Sequence, residues 1–399
     1  MIEALFRMLS SIRFKNPKSN RVAIIYDDDY WIKTLILRDI PSTTIGVYPE
    51  GFFIYITPQL TFKLILRLRS IQWGRIAHNK LNLKEFFYKI YLQYLLSCLD
   101  QIQAKIVLTY IDNSRLFQDL SRLDSKRVYF AIQNGTRTLH CVRDSLQKRP
   151  NEYSKISMTN FFCFGQRDVD LFKSHGHEID NYLPVGALVG GYYKSKISYW
   201  KIDTPFDLCL ISQWHKHFFD GSTGDDYRSQ VCQRNARGIQ GMIQLLQRLQ
   251  KEEELKLVIC LRHDSDDQEL IFYQNAFGSK VRIVSSVRKE FSTYRIAENS
   301  KLVIALNSTT LLELFSWGNK VLWCNTSNDI HFAMPEAGIS YFQGDDYNKF
   351  RSRIIGLLDM PLEEYRKKTN YGASYLSGYD PFNPPHEIIR STIVKILSN

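Results

Sequence analysis

The sequence lacks several patterns that mark common classes of enzyme and metal protein. Its seven cysteines are scattered without C-x-x-C spacing, which argues against a zinc cluster or a disulfide framework. No G-x-G-x-x-G follows a predicted strand, which disfavours NAD or FAD, and there is neither a Walker sequence nor a G-x-S-x-G turn. No run reaches the roughly 18 apolar residues of a membrane span. Because no secretory signal is recognisable either, we expect a cytoplasmic protein.

What the chain has is length and positive charge. Its 399 residues exceed what one hydrophobic core usually supports, so we expect two domains, residues 1–195 and 203–399, joined by a linker around Gly191–Ile202. The net charge of +11 implies an anionic partner, and nucleic acid is disfavoured because the basic residues are dispersed. Met1–Phe14 has the apolar spacing of a helix with cations nearby. This pattern is compatible with peripheral contact at an inner membrane surface, or with a helix docked on its own domain.

The stretch Lys301–Asn325 has the pattern of a strand, a turn, a helix and a second strand. Leu302–Leu306 is a continuous apolar run, as a strand covered on both faces requires. Asn307, Ser308, Thr309 and Thr310 supply capping side chains at a helix start, where free N–H groups favour an anion such as phosphate. Glu313 lies near the end of the first turn, where it is placed to accept hydrogen bonds from a ribose. An ordinary capped helix is the alternative.

Strands alternate with helices along the rest of the chain, which predicts parallel, doubly wound sheets. The predicted fold class is therefore α/β, with two Rossmann-like domains facing a central cleft, the arrangement called GT-B. In this arrangement a nucleotide sugar binds the second domain and its acceptor binds the first. The sequence thus favours a nucleotide-sugar transferase.

Polar residues follow several predicted strands, at the edge where α/β proteins bind ligands. In the first domain Asp27 follows Arg21–Tyr26, and Gln133, Asn134 and Arg137 follow Arg127–Ile132. These are candidates for contact with a sugar or acceptor, and turn formation is the alternative for each. In the second domain Ser212 and Gln213 follow one strand, and Arg262 and His263 follow the next.

Cys232 and His263 are candidates for direct roles in catalysis, together with Gln133 and Asn134 of the first domain. A histidine at a strand end can donate a hydrogen bond to phosphate or transfer a proton, although such a residue is more often structural. Cys232 lies in the first turns of the predicted helix Tyr227–Lys251, among polar neighbours. A helix start stabilises a thiolate, whereas a cysteine on an apolar stripe is usually a small hydrophobic residue.

Four segments together resemble one enzyme family: SQW after Ile211, VCQRNARG at the start of a helix, LRHD, and LNSTTLLELFSWG. The combination resembles the retaining β-Kdo transferases of glycosyltransferase family 99. The resemblance implies a CMP-β-Kdo donor, a lipid-linked O-antigen glycan acceptor, and attack by an Asp carboxylate to form a covalent Kdo–enzyme adduct. Cys232 stands where that Asp is expected, so catalysis is predicted to be impaired. Asp225 and Asp226 are the fallback nucleophiles.

Kdo carries a carboxylate of its own, so a site for CMP-Kdo must hold two negative groups. On this basis the phosphate is assigned to Ser308, Thr309 and Thr310. The phosphate or the Kdo carboxylate is assigned to Arg262, His263 and Ser212, and no metal or other cofactor is expected because fixed donors stabilise the leaving phosphate. Two rival functions are a GT-B enzyme that uses a CDP-polyol or another nucleotide sugar, and a non-catalytic module that binds glycans or membranes.

Overall fold

The computed structural model describes residues 12–25, 29–45, 54–69, 83–138, 155–196, 206–220, 227–263 and 267–399. In the first part of the chain the strands are β1 (Ile12–Arg13), β2 (Val22–Ile25), β3 (Ser42–Ile45), β4 (Ile54–Tyr55), β5 (Ile106–Thr109), β6 (Val128–Ile132), β7 (Ser157–Cys163) and β8 (Glu178–Pro184). Six of them form a parallel sheet in the order β3-β2-β5-β6-β7-β8, and β1 pairs with β4. Ile12 and Arg13 are extended, contrary to the predicted amino-terminal helix, whose residues 1–11 lie outside the described ranges.

The helices of this part are α1 (Asp29–Trp31, continued by a π-helical turn, Ile32–Ile36), α2 (Pro58–Arg69), α3 (Leu83–Ile102), α4 (Arg115–Leu123), α5 (Gln166–Ser174) and α6 (Leu188–Lys196). They cover both faces of the sheet, which is why β2 and β5 are buried at every residue. The predicted linker differs from the structure, because residues 191–196 belong to α6 and only 197–205 lie outside the described ranges.

The second part of the chain repeats the arrangement. Its strands are β9 (Phe206–Ile211), β10 (Leu257–Cys260), β11 (Arg282–Val284), β12 (Ser300–Ala305), β13 (Val321–Asn325) and β14 (Tyr341–Gln343), all parallel in the order β11-β10-β9-β12-β13-β14. The helices are α7 (Lys216–Phe219), α8 (Tyr227–Glu252), α9 (Asp267–Phe277), α10 (Ser292–Glu298), α11 (Thr309–Ser316), α12 (Tyr347–Asp359), α13 (Leu362–Leu376) and α14 (Pro385–Ser398). This strand order is that of a Rossmann fold, with its switch point between β9 and β12.

The two sheets confirm the predicted α/β class with two Rossmann-like domains. One finding differs from the predicted domain limits, which placed the C-terminal helices in the second domain. Ile389 and Ile393 of α14 pack into the core of the first domain beside Val22 and Ile24, because the chain crosses back after α13. In the described part of the chain no helix is both long and apolar enough to cross a membrane.

Candidate functional site

A cleft of about 730 Å³ lies between the carboxyl edges of the two sheets. The first domain contributes side chains from α1, from the ends of β5 and β6, and from the segment after β7. The second domain contributes the ends of β9 and β10, the loop from β11 to α10, and the turn that starts α11. The predicted site residues that line it are Asn134, Ser212, Gln213, Arg262, Ser308, Thr309, Thr310 and Glu313.

The turn before α11 brings the two domains into contact. Ser308 has extended backbone angles, as a helix cap requires, and its side chain makes no capping hydrogen bond. The Asn307 N–H donates to the side-chain oxygen of Gln213, which fixes the turn against the end of β9. Thr309 Oγ1 accepts a hydrogen bond of 3.0 Å from the backbone N–H of Thr136 in the first domain. The helix start is therefore held open to the cleft by contacts from both sides.

Glu313 lies one turn further along α11 and is buried at the cleft wall. The Tyr294 hydroxyl donates to its Oε2 over 2.6 Å. Loss of hydration raises the pKa of Glu313 to about 7, against the opposing effect of the hydrogen bond from Tyr294. Gly190 leaves room for this carboxyl group, since a Cβ there would stand 2.6 Å from Glu313 Cδ. The group can therefore change its protonation near neutral pH.

Two arginines place positive charge on the second-domain side of the cleft. Arg262 and Arg288 both line it, and neither side chain forms an ion pair with any residue in the described ranges. Loss of hydration lowers the pKa of Arg262, and the neighbouring Arg288 acts in the same direction. The buried carboxylate of Glu269 opposes this lowering of the pKa. Two guanidinium groups on one wall of the cleft are suited to an anion.

One buried carboxylate, which the sequence did not predict, fixes the second-domain edge of the cleft. Glu269, on α9, is fully buried and accepts hydrogen bonds from the backbone N–H groups of Arg262 (2.8 Å) and His263 (3.2 Å). It also accepts from the Ser212 hydroxyl, which in turn accepts from the Trp214 N–H at 3.1 Å. Ser212 and Glu269 therefore hold the ends of β9 and β10 together. The only signal in the sequence is an acidic residue in the first turn of a helix.

The first-domain candidates serve mainly to fix their own loop. Arg137 forms a two-point ion pair with the buried Asp112, at 2.6 Å from its Nε, and donates to Asn134 Oδ1 at 2.8 Å. Gln133 is buried, where it donates to the Gly135 carbonyl and accepts from the Phe164 N–H, both at 3.0 Å. Neither Arg137 nor Gln133 lines the cleft, whereas Asn134 does. The structure thus places those two side chains away from a direct role.

Cys232 and His263 stand outside the cleft lining. Cys232 is 6% exposed on α8, a helix that starts at the cleft edge of the sheet. His263 packs its ring edge-on to that of His215, with centroids 6.1 Å apart. Asp27, Asp225 and Asp226 lie outside the described ranges. No cluster of three or more metal-binding side chains occurs among the described residues.

An aromatic cluster closes one side of the cleft. Phe291 has left-handed backbone angles (φ 55°, ψ 34°), which cost strain for a bulky residue. Its ring lies 5.7 Å from that of Trp31 in the first domain and 5.5 Å from that of Tyr193 in α6. Tyr193 stacks at 5.0 Å on Tyr294, which binds Glu313. The packing of these rings offsets the strain and couples the arginine loop to the first domain.

Solved structures of low sequence identity share this fold. The MnaA–UDP structure of S. aureus is 13% identical with a TM-score of 0.58, over 95% of this chain and 97% of that one. A UDP-GlcNAc 2-epimerase of Neisseria meningitidis bound to UDP-GlcNAc is 16% identical with a TM-score of 0.55, over 94% and 99%. A UDP-forming α,α-trehalose-phosphate synthase of Burkholderia xenovorans is 11% identical with a TM-score of 0.52, over 95% and 99%. These similarities show a GT-B-like fold. No family model and no curated protein sequence matches the chain.

Proposed function

We propose that the chain is a sugar-nucleotide enzyme of the GT-B type, and specifically a retaining transferase that moves β-Kdo from CMP-β-Kdo to a lipid-linked glycan. The observation that carries the proposal is the second-domain edge of the cleft. There the start of α11, two arginines that form no ion pair with any described residue, and a buried carboxyl group line one space. This set suits a ligand that carries a phosphate, a second negative group and a ribose.

The assignments follow the chemistry of each group. The phosphate of CMP is placed at the N–H groups and hydroxyls of Ser308, Thr309 and Thr310, where the helix dipole favours negative charge. The Kdo carboxylate is placed at Arg262, with Arg288 beside it. Glu313, once it is deprotonated, accepts from the ribose hydroxyls. Asn134 reaches the sugar from the first domain.

Covalent catalysis is assigned to position 232. In the proposed first step the Cys232 thiolate attacks the anomeric carbon of Kdo, the bond from that carbon to the phosphate oxygen breaks, and CMP leaves with the electron pair. In the second step the acceptor hydroxyl attacks the same carbon, the carbon–sulfur bond breaks, the thiolate leaves with the electron pair, and the hydroxyl proton passes to solvent. This step is slow because a thiolate is a poorer leaving group than a carboxylate. Since Cys232 is buried and is not part of the cleft lining, the first step requires the start of α8 to move.

A second candidate is an enzyme that uses a nucleoside diphosphate sugar. Structural neighbours of this chain have UDP or UDP-GlcNAc in their names, and one is a UDP-forming synthase. A diphosphate would use the same helix start and the same pair of arginines. The two candidates differ in the base and in the number of phosphates.

A thermal-shift screen with CMP, CDP, UDP and GDP separates these candidates. We expect CMP to raise the melting temperature most, and calorimetry on CMP to give one site per chain. Stabilisation by UDP or GDP without stabilisation by CMP would favour the second candidate. No stabilisation by any nucleotide would remove the assignment of the cleft.

Mass spectrometry after incubation with CMP-Kdo tests the nucleophile. We expect one added Kdo mass on the peptide that contains Cys232, and none in a Cys232→Ser variant. The Cys232→Asp variant is expected to turn over, with transfer to a Kdo acceptor and no accumulated adduct. Binding of CMP with neither adduct nor transfer would retain the nucleotide site and overturn the role of position 232. It would also favour the rival function, a non-catalytic module that binds glycans or membranes.

A further inference from the structure

Helix α2 presents apolar side chains on its outward side. Phe62 is 62% exposed, and Ile65 and Leu66 are each 46% exposed. Their spacing of three and four residues places them on one side of the helix, and we call these three residues the outer α2 face. Exposed apolar side chains that form a continuous patch mark an interaction surface, whereas scattered ones do not.

Two of the three cations of α2, Lys63 and Arg67, bind side chains of the neighbouring helix α3. Arg67 binds Asp100 of α3 with both Nε (3.2 Å) and Nη2 (2.6 Å), and Lys63 donates to Gln101 at 2.8 Å. Leu60 is the buried apolar residue on this side. Leu64 and Leu68 are half-buried and share this side with Leu60, since the three recur every fourth residue. Helix α2 therefore has apolar side chains on both sides, and those of the outer α2 face are left outward.

Two further apolar side chains are exposed in the segments before α2. Ile56 is 43% exposed just before α2, and Phe14 is 82% exposed next to Arg13, whose carbonyl accepts from the Ile56 N–H at 2.9 Å. Exposed cations accompany them, since Lys15 follows Phe14 and Arg69 lies on the outward side of α2. Helix α2 contains no acidic residue.

We propose that the outer α2 face, with Phe14 and Ile56, docks this protein on the surface of a bilayer that contains anionic lipid. Apolar side chains flanked by cations without acidic residues match the acyl–headgroup boundary of such a bilayer, where apolar burial and attraction to headgroups add. The helix would lie in the plane of the surface. The inference does not rest on the proposed transferase activity, although it would bring the first domain to a lipid-linked acceptor.

Vesicle flotation of the full chain without nucleotide tests the surface. We expect binding to phosphatidylcholine vesicles that contain about 30 mol% phosphatidylglycerol, and much weaker binding to pure phosphatidylcholine. Phe62→Ser and Leu66→Ser should each weaken binding roughly tenfold because each removes one apolar anchor. Arg69→Glu should weaken binding only to the anionic vesicles. Phe382→Ser removes an exposed aromatic ring in the second domain and is the matched control, expected to bind as the parent does.

One control must hold for the test, and the vesicle binding and the oligomeric state can each overturn the proposal. Thermal unfolding and calorimetry with CMP must be unchanged in the α2 variants, which shows that their folding and the nucleotide site are intact. Binding to neither vesicle, or equal binding by the parent and both serine variants, overturns the proposal. A parent that is dimeric in solution and becomes monomeric on Phe62→Ser also overturns it, because the face would then be covered by a second copy.

Discussion

The carboxyl edges of the two sheets face the same cleft, yet they use their charged side chains differently. In the first domain Arg137 is paired with the buried Asp112, and the loop between them is fixed as a result. In the second domain Arg262 and Arg288 line the cleft without a carboxylate partner in the described ranges. The comparison indicates that charge in the first domain contributes to stability and charge in the second is available to a ligand.

The strongest test of this comparison is Asp112→Ala. It leaves the Arg137 guanidinium buried without its partner, which should lower the free energy of unfolding by about 3–5 kcal/mol. Urea unfolding followed by circular dichroism measures the loss. The double variant Asp112→Leu/Arg137→Met removes both charges and should recover most of the stability. A loss below about 1 kcal/mol in the single variant would mean that the pair does not hold the loop.

Glu313→Gln tests a buried group on the binding side. The folded-state pKa of Glu313 is raised from 4.5 to about 7, so its protonated form adds stability below pH 4.5 that is lost as the pH rises through 7. The full difference is roughly 3 kcal/mol. The glutamine variant should lack this fall in stability between pH 4.5 and 7, measured by unfolding at several pH values. Glu290→Gln, which alters an exposed carboxyl, should keep the parent slope.

Arg262→Ala should weaken ligand binding with little loss of stability, which is the opposite of the effect expected of Asp112→Ala. Loss of a charge-assisted hydrogen bond of about 1.5–3 kcal/mol should weaken CMP-Kdo binding roughly 10- to 100-fold in calorimetry. The free energy of unfolding should change by less than about 1 kcal/mol, because Arg262 forms no ion pair in the described ranges and the buried Glu269 keeps its hydrogen bonds from the backbone. Arg237→Ala on the exposed side of α8 is the control. Equal affinity for CMP-Kdo in the Arg262 and Arg237 variants would place the Kdo carboxylate elsewhere.

The smallest expected effect is at the contact between the domains. Thr309→Val keeps the shape of the side chain but removes the acceptor for the Thr136 N–H. We expect a loss of about 1 kcal/mol in stability and roughly fivefold weaker CMP binding. Thr309→Ser should restore both, and Thr309→Ala should resemble the valine variant. Unchanged calorimetry in Thr309→Ala would remove this residue from the phosphate site.

The parts of the fold that the sequence predicts are those with a strong local pattern. Strand β9 (Phe206–Ile211) is a continuous apolar run and helix α14 (Pro385–Ser398) begins at a proline, so the local sequence indicates the bounds of both. The sequence does not predict strand β14, because three residues are too few to show a periodic pattern. Nor does it predict that α14 packs on the first sheet, because an apolar stripe does not indicate which sheet the helix covers.

The same limit applies to the site. Ser308, Thr309, Thr310 and Glu313 belong to one local unit, and the structure brings them all to the cleft as that unit requires. Arg137 and Gln133 follow β6 at the carboxyl edge of the sheet, but both side chains bind groups of the protein and neither lines the cleft. Asp112 stands 25 residues before Arg137, and Glu269 positions Arg262 from the following helix. Pairing over such distances is set by packing and leaves no periodic signal.

The return of α14 to the first domain has a practical consequence. The core of each half includes residues from the other part of the chain. Cleavage in the region after α6 would therefore not release two independent domains. A fragment that stops before Pro385 would expose the apolar surface that Ile389 and Ile393 now fill, and should aggregate. Anyone who wishes to study the first half alone would need to attach the fourteen residues of α14 to it.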